Sequence, residues 1–135
     1  MKKIIVSGLV VGVVFLILSI VGLYLISFLF PNVCMEYFDP AFDVRLDKIV
    51  LYCIHPFVIS LALSWFWDRF KGVLKGSFIT RGIEFGFIYA LVAIFPMMWL
   101  IYSSMSISLI VVAVWFLLSL LQAVIAGLVL EKMNP

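Results

Sequence analysis

This sequence predicts an all-α fold, a polytopic membrane protein built as a four-transmembrane-helix bundle, and three observations predict it. Hydrophobic residues make up 67% of the 135 positions and charged residues only 12%. A water-soluble domain carries about 25% charged residues, so this chain has too little polar surface to live in water. Four predominantly apolar stretches are then near or above the length needed to cross a bilayer, which takes ~20 residues as helix. Finally, the basic residues sort to alternate connections. The stretches lack the period-two alternation of barrel strands, and other than closed barrels only helices satisfy their own backbone groups in hydrocarbon. The chain is read as one membrane domain, 1–135.

The first span covers residues 4–30 and follows Lys2 and Lys3. Its apolar run is roughly twice the 7–15 residues of a signal-peptide core, and no Ala-x-Ala site follows. It is read as an uncleaved span. Gly8, Gly12, Ser19 and Gly22 fall within one arc of its helical wheel, with Phe15 beside them. Small residues let membrane helices approach closely, and this arc is read as a packing face.

The outer loop, 31–48, opens with Pro31 and Asn32, which end the first helix. Asp39 and Pro40 read as an N-cap and first helical position, starting a short interfacial helix that leads into the second span. That span covers 49–67. His55 precedes Pro56, and a proline inside a helix predicts a kink or widened turn. His55 is a candidate polar site within the membrane. Cys53 points about 200° away from it on the 3.6-residue period, which argues against a shared metal. A disulfide between Cys34 and Cys53 is one reading of the two cysteines, both in the outer half.

The cytoplasmic loop, 68–77, mixes aromatic and basic residues at the membrane border. Arg69, Lys71, Lys75 and Arg81 are candidate contacts for lipid head groups. The third span, 78–102, is the one the others are organised around. Gly82, Gly86, Ala90 and Ala93 form its small face, and Pro96 must disturb the helix near them. Glu84 lies nearly opposite that face, where it can pair with Arg81 one turn back. It is nonetheless a candidate intramembrane site, since charge inside a span is functional by default. An outer turn, 103–106, leads to the fourth span, 107–130. There Ser119, Ala123, Ala126 and Gly127 line up, with Gln122 at the edge of the arc. Gln122 reads first as an interhelical hydrogen bond and second as part of a solute path.

Lys2, Lys3, Arg69, Lys71, Lys75, Arg81 and Lys132 fall on one side of a four-span chain, and only Arg45 and Lys48 on the other. Basic residues stay cytoplasmic, so both termini are expected inside, in the plasma (inner) membrane of a prokaryote. One offset aligns Gly8 and Gly12 with Gly82 and Gly86, and places Ser19 on Ala93 and Gly22 on Pro96. It suggests two parallel hairpins about an axis along the membrane normal, although the second and fourth spans align poorly.

Size and span number are similar to those of small multidrug transporters and small fluoride channels. The first span lacks the membrane acid of the former, and the Gly-Gly-Arg signature of the latter is missing, so no family is assigned. Two functions remain: a non-enzymatic helix-packing or accessory protein, or a small oligomeric transporter or channel. No catalytic, metal or cofactor motif is present, and an enzyme is the least supported class. The expected partners are the lipid bilayer and a second copy or another membrane protein, not nucleic acid.

Overall fold

The computed structural model describes residues 1–37 and 46–135, with the side chains of 34, 36–37 and 46–48 outside the description. The described residues form α1 (Lys2–Leu29), α2 (Pro31–Tyr37), α3 (Leu46–Phe70), α4 (Phe78–Tyr89), a π-helical turn (Ala90–Ile94), α5 (Phe95–Ser104) and α6 (Leu109–Met133). Among the described residues four helices are long and apolar enough to cross a membrane: Lys2–Leu29, Ile49–Phe70, Phe78–Ser104 and Leu109–Met133. The third of these runs continuously through α4, the π turn and α5. The fourth reaches three residues further than expected and takes in Glu131. The interfacial helix expected from Asp39 lies outside the described residues.

Local chemistry sets the helix starts. The Ser77 hydroxyl accepts from the Thr80 amide at 3.4 Å, and the Ser108 hydroxyl accepts from the Val111 amide at 3.4 Å. Each satisfies one orphan donor of a first turn. Gly76, with φ of +116°, makes the left-handed bend between α3 and α4 that other residues resist.

The disturbance expected at Pro96 is a widened turn, whereas no widened turn forms at Pro56. α3 stays α-helical through Pro56, whereas the residues before Pro96 open into a π turn, with the Phe95 amide donating to the Ala90 carbonyl. Proline has no amide hydrogen, and its ring clashes with the carbonyl four residues back. The wider turn moves that carbonyl, from Val92, away from the ring. The register shifts as well. The buried positions run Gly82, Gly86, Ala90 and Ile94, and Ala93 is exposed, so Ala93 leaves the packing face that its helical spacing suggested.

Packing is strongest within sequence-adjacent pairs, α1 on α3 and α4 on α6, and α1 also lies along α6. A Cβ on Gly8 would meet Leu61 at 2.8 Å, and one on Gly12 would meet Phe57 at 2.5 Å and the Ser60 hydroxyl at 2.8 Å. A Cβ on Gly86 would meet the Val124 backbone at 2.6 Å, and one on Gly127 would collide with the Gly82 carbonyl. Gly8 and Gly12 of the first span and Gly82 and Gly86 of the third are therefore packed within the chain.

The two helix pairs share a set of equivalent contacts. The offset that carries Gly8, Val11, Gly12 and Phe15 onto Gly82, Phe85, Gly86 and Tyr89 is joined by a second offset between α3 and α6. It carries Phe57, Leu61 and Ser64 onto Val124, Leu128 and Glu131. Gly8 on Leu61 thus corresponds to Gly82 on Leu128, and Gly12 on Phe57 to Gly86 on Val124. The buried hydrogen bond between Ser7 and Ser64 (2.7 Å) corresponds to the Arg81–Glu131 ion pair (2.6 Å). The fully buried Val11 and Phe85, and the buried Leu63 and Leu130, take equivalent places in one core cluster.

That cluster, completed by Phe15, Trp67 and Ala126, fills one end of the bundle, here called the base. The base carries residues 2, 70, 78 and 133. The opposite end is the mouth.

Candidate functional site

The base is closed by polar groups as well as apolar ones. The Trp67 indole donates to the Asn134 carbonyl at 2.8 Å, the Asn134 amide donates to Asp68 at 2.9 Å, and Lys71 donates to the Asn134 side chain at 2.8 Å. Arg81 reaches Glu131 at 2.6 Å and the Lys71 carbonyl at 3.0 Å. Its guanidinium also lies 5.7 Å from the Trp67 ring centre. Trp67 meets Phe85 edge-on, with centroids 5.0 Å apart. Glu131 is only 6% exposed, and a buried carboxylate persists where a cation pairs with it.

These contacts correct two readings of the sequence. Arg81 pairs with Glu131 on α6, not with Glu84 one turn away. Glu131 is closer to the apolar interior of the fold, and a partner there offsets its desolvation. Lys71 and Arg81 are engaged inside the base, which leaves Arg69 and Lys75 as the exposed pair among the four candidate head-group contacts. Arg69 itself stacks over Trp65 at 5.4 Å. Glu84 is exposed on the side it shares with Ile88, Leu91, Phe95 and Tyr102.

Toward the mouth the helix pairs part around a cleft of about 400 Å³, to which all four spans contribute. Its polar lining is Ser19 from α1, Tyr52 and His55 from α3, Tyr89 from α4, and Ser119 and Gln122 from α6. Its walls include Leu23, Met97, Met98 and Trp115. No Asp, Glu, Lys or Arg is among these described lining residues. The Gln122 amide donates to the Ser19 hydroxyl at 3.1 Å across 103 positions of sequence. This bond joins α1 to α6 at the edge of the cleft.

Of the three polar candidates read from sequence, the structure thus brings Gln122 and His55 to one cavity and leaves Glu84 outside it. The two that meet are related by the same offset that relates α3 to α6. Of the small residues, Gly22 and Ala93 also line cavities rather than tight contacts. The nearest atom to a Cβ on Gly22 would be Leu118 at 3.6 Å, an ordinary van der Waals distance.

Cys53 is a free, exposed thiol, and the side chain of Cys34, its partner in the disulfide considered above, lies outside the described residues. Among the described residues no group of three or more His, Cys, Asp or Glu side chains is placed to hold a metal ion. Sequence reasoning missed Tyr52, Tyr89 and Trp115 as cleft residues and Glu131 as a buried acid. Glu131 lies just past the apolar run, and the signal for it was its spacing: it continues the small face of the fourth span, one turn beyond Gly127.

No family model matches the chain, and no curated protein or solved structure matches it.

Proposed function

We propose that this is a multi-pass protein of a prokaryotic inner membrane, with both termini cytoplasmic, that works without catalysis by holding a membrane component in the cleft between its two helix pairs. The cleft carries this reading. It is about 400 Å³, within the ~300–1,000 Å³ of small-molecule sites. Its few hydrogen-bonding groups converge within apolar walls, as binding sites require. The bias of Lys and Arg toward the base supports a cytoplasmic base and an outward mouth. Gly8, Gly12, Gly82, Gly86 and Gly127 are packed within the chain, so association with a second copy or a partner would use other surfaces than these.

The second reading, a small transporter, is favoured by one observation: the base is plugged while the mouth is cleft. That is the shape of one state of an alternating-access cycle. Coupling would then use Gln122 and His55 rather than Glu84.

Native mass spectrometry of the protein released gently from its own membrane tests the choice. A monomer retaining a lipid, a small amphiphile or another polypeptide supports the holding role. A ligand-free homodimer supports the transporter. Flux in proteoliposomes that survives Glu84→Gln and is lost in Gln122→Leu would establish it.

A further inference from the structure

A second space lies beside the cleft. A second cavity of about 360 Å³ lies between α3 and the third span, lined by Ile59, Ala62, Leu63, Trp65 and Phe66 on one side and Ile88, Tyr89, Val92 and Ala93 on the other. It shares Ile59, Tyr89 and Ala93 with the cleft, so only these three residues stand between the two spaces. The correspondence between the helix pairs explains why the seam is open there. The equivalent seam, α1 against α6, is closed by the Ser19–Gln122 hydrogen bond. Under the two offsets Ser19 becomes Ala93 and Gln122 becomes His55. Alanine has no hydroxyl to bond, and the π turn before Pro96 has carried Ala93 out of the packed face.

We propose that the seam between α3 and the third span is a lateral entrance from the lipid, and that the cleft takes an uncharged, membrane-soluble ring compound whose acceptor oxygens are held by His55 and Gln122. The proposal rests on reading the cleft as a binding site. Charge on the ligand is disfavoured because no ionised side chain is among the described lining residues, and an unpaired ion in low dielectric is strongly disfavoured. A Gln amide has two hydrogens, of which Ser19 takes one, and an imidazole offers a further donor across the cleft. Tyr89, Trp115 and the two methionines supply faces and edges suited to a ring. The entrance is lined almost wholly by apolar side chains, which suits a molecule arriving from hydrocarbon and not from water.

The test is a titration of the full chain in nanodiscs with decylubiquinone, read by quenching of tryptophan fluorescence. Trp115 lines the cleft and Trp65 the entrance. Saturable quenching is expected in wild type and in Glu84→Gln. Affinity should fall at least tenfold in Gln122→Leu and in His55→Phe. Ser19→Ala breaks the same interhelical bond as Gln122→Leu but leaves the amide in place, and it should lose clearly less affinity than Gln122→Leu. Ala93→Leu, which narrows the entrance, should slow association several-fold in stopped flow. Quenching that never saturates, or that is equal in all variants, reports partitioning and overturns the ligand class. So does equal loss in Ser19→Ala and Gln122→Leu, which would assign the effect to packing. An unchanged association rate in Ala93→Leu overturns the lateral entrance. A chain that retains a lipid or polypeptide in mass spectrometry yet shows no saturable quenching keeps the holding role and loses this ligand.

Discussion

Glycines of identical composition carry unequal weight in this bundle. A methyl group at Gly127 would collide with the Gly82 carbonyl, and one at Gly86 would meet Val124 backbone at 2.6 Å. Backbone cannot step aside, so α4 and α6 must separate. Gly127→Ala and Gly86→Ala should each cost about 1–3 kcal/mol, the usual penalty for overpacking, in thermal unfolding in detergent. At Gly12 the obstacles are the Phe57 ring and the Ser60 hydroxyl, which can rotate, so Gly12→Ala should cost less. Gly22→Ala meets nothing closer than 3.6 Å and should stay within about 0.5 kcal/mol of wild type. Charge follows similar logic. Arg81→Ala leaves Glu131 buried and unpaired, and removing one partner of a buried pair costs about 3–5 kcal/mol. Glu84→Gln, at an exposed position, should leave stability unchanged. If the two substitutions destabilised equally, the pairing of Arg81 with Glu131 would be wrong.

Among the elements, the third span is the one whose geometry departs from a regular helix, and Pro96 is the cause. In Pro96→Ala the missing amide hydrogen is restored and the ring is gone, so an α-helical register becomes available through Ala90–Ile94. Ala93 would then turn back toward α6 and Ile94 would leave its buried site. Labelling of a cysteine placed at Ala93 by a membrane-soluble maleimide is expected to fall on adding Pro96→Ala. Unchanged labelling would mean that tertiary packing, not the proline, holds the π turn. The helix itself, its proline and its glycine stripe were legible in the sequence. The register shift was not, because helical-wheel arithmetic assumes one period throughout and a π turn changes it midway. For the same reason Ala93 reads as a packing residue on the wheel and as a cavity residue in the fold.

Across the whole molecule, the all-helical class and the four spans follow from apolar length alone, which is why they were readable. The cleft was not. Gln122 and Ser19 are separated by 103 positions, and only the folded chain reveals that His55 and Gln122 face one space. The likeness of the second and fourth spans was equally hidden. It is carried by which residue touches which glycine, and Phe57 and Ser64 do not resemble Val124 and Glu131 as letters. Orientation remains a prediction of the charge pattern. Cysteines introduced at Lys3 and Lys75 should resist an impermeant maleimide in intact cells, and one at Ser104 should react. The opposite pattern would invert the bundle.

The pairing of each helix with its neighbour in sequence has a consequence for biogenesis. α1 and α3 can close on one another as soon as both have entered the bilayer, before α4 is made, and membrane helices that are independently stable can assemble afterwards. The base is completed only once α6 has been made, since Glu131 and Asn134 lie at its C-terminal end. Gly72, with open space around it, lies between the two units. Severing the gene there and expressing the halves together should yield two polypeptides that find each other in the membrane and co-purify.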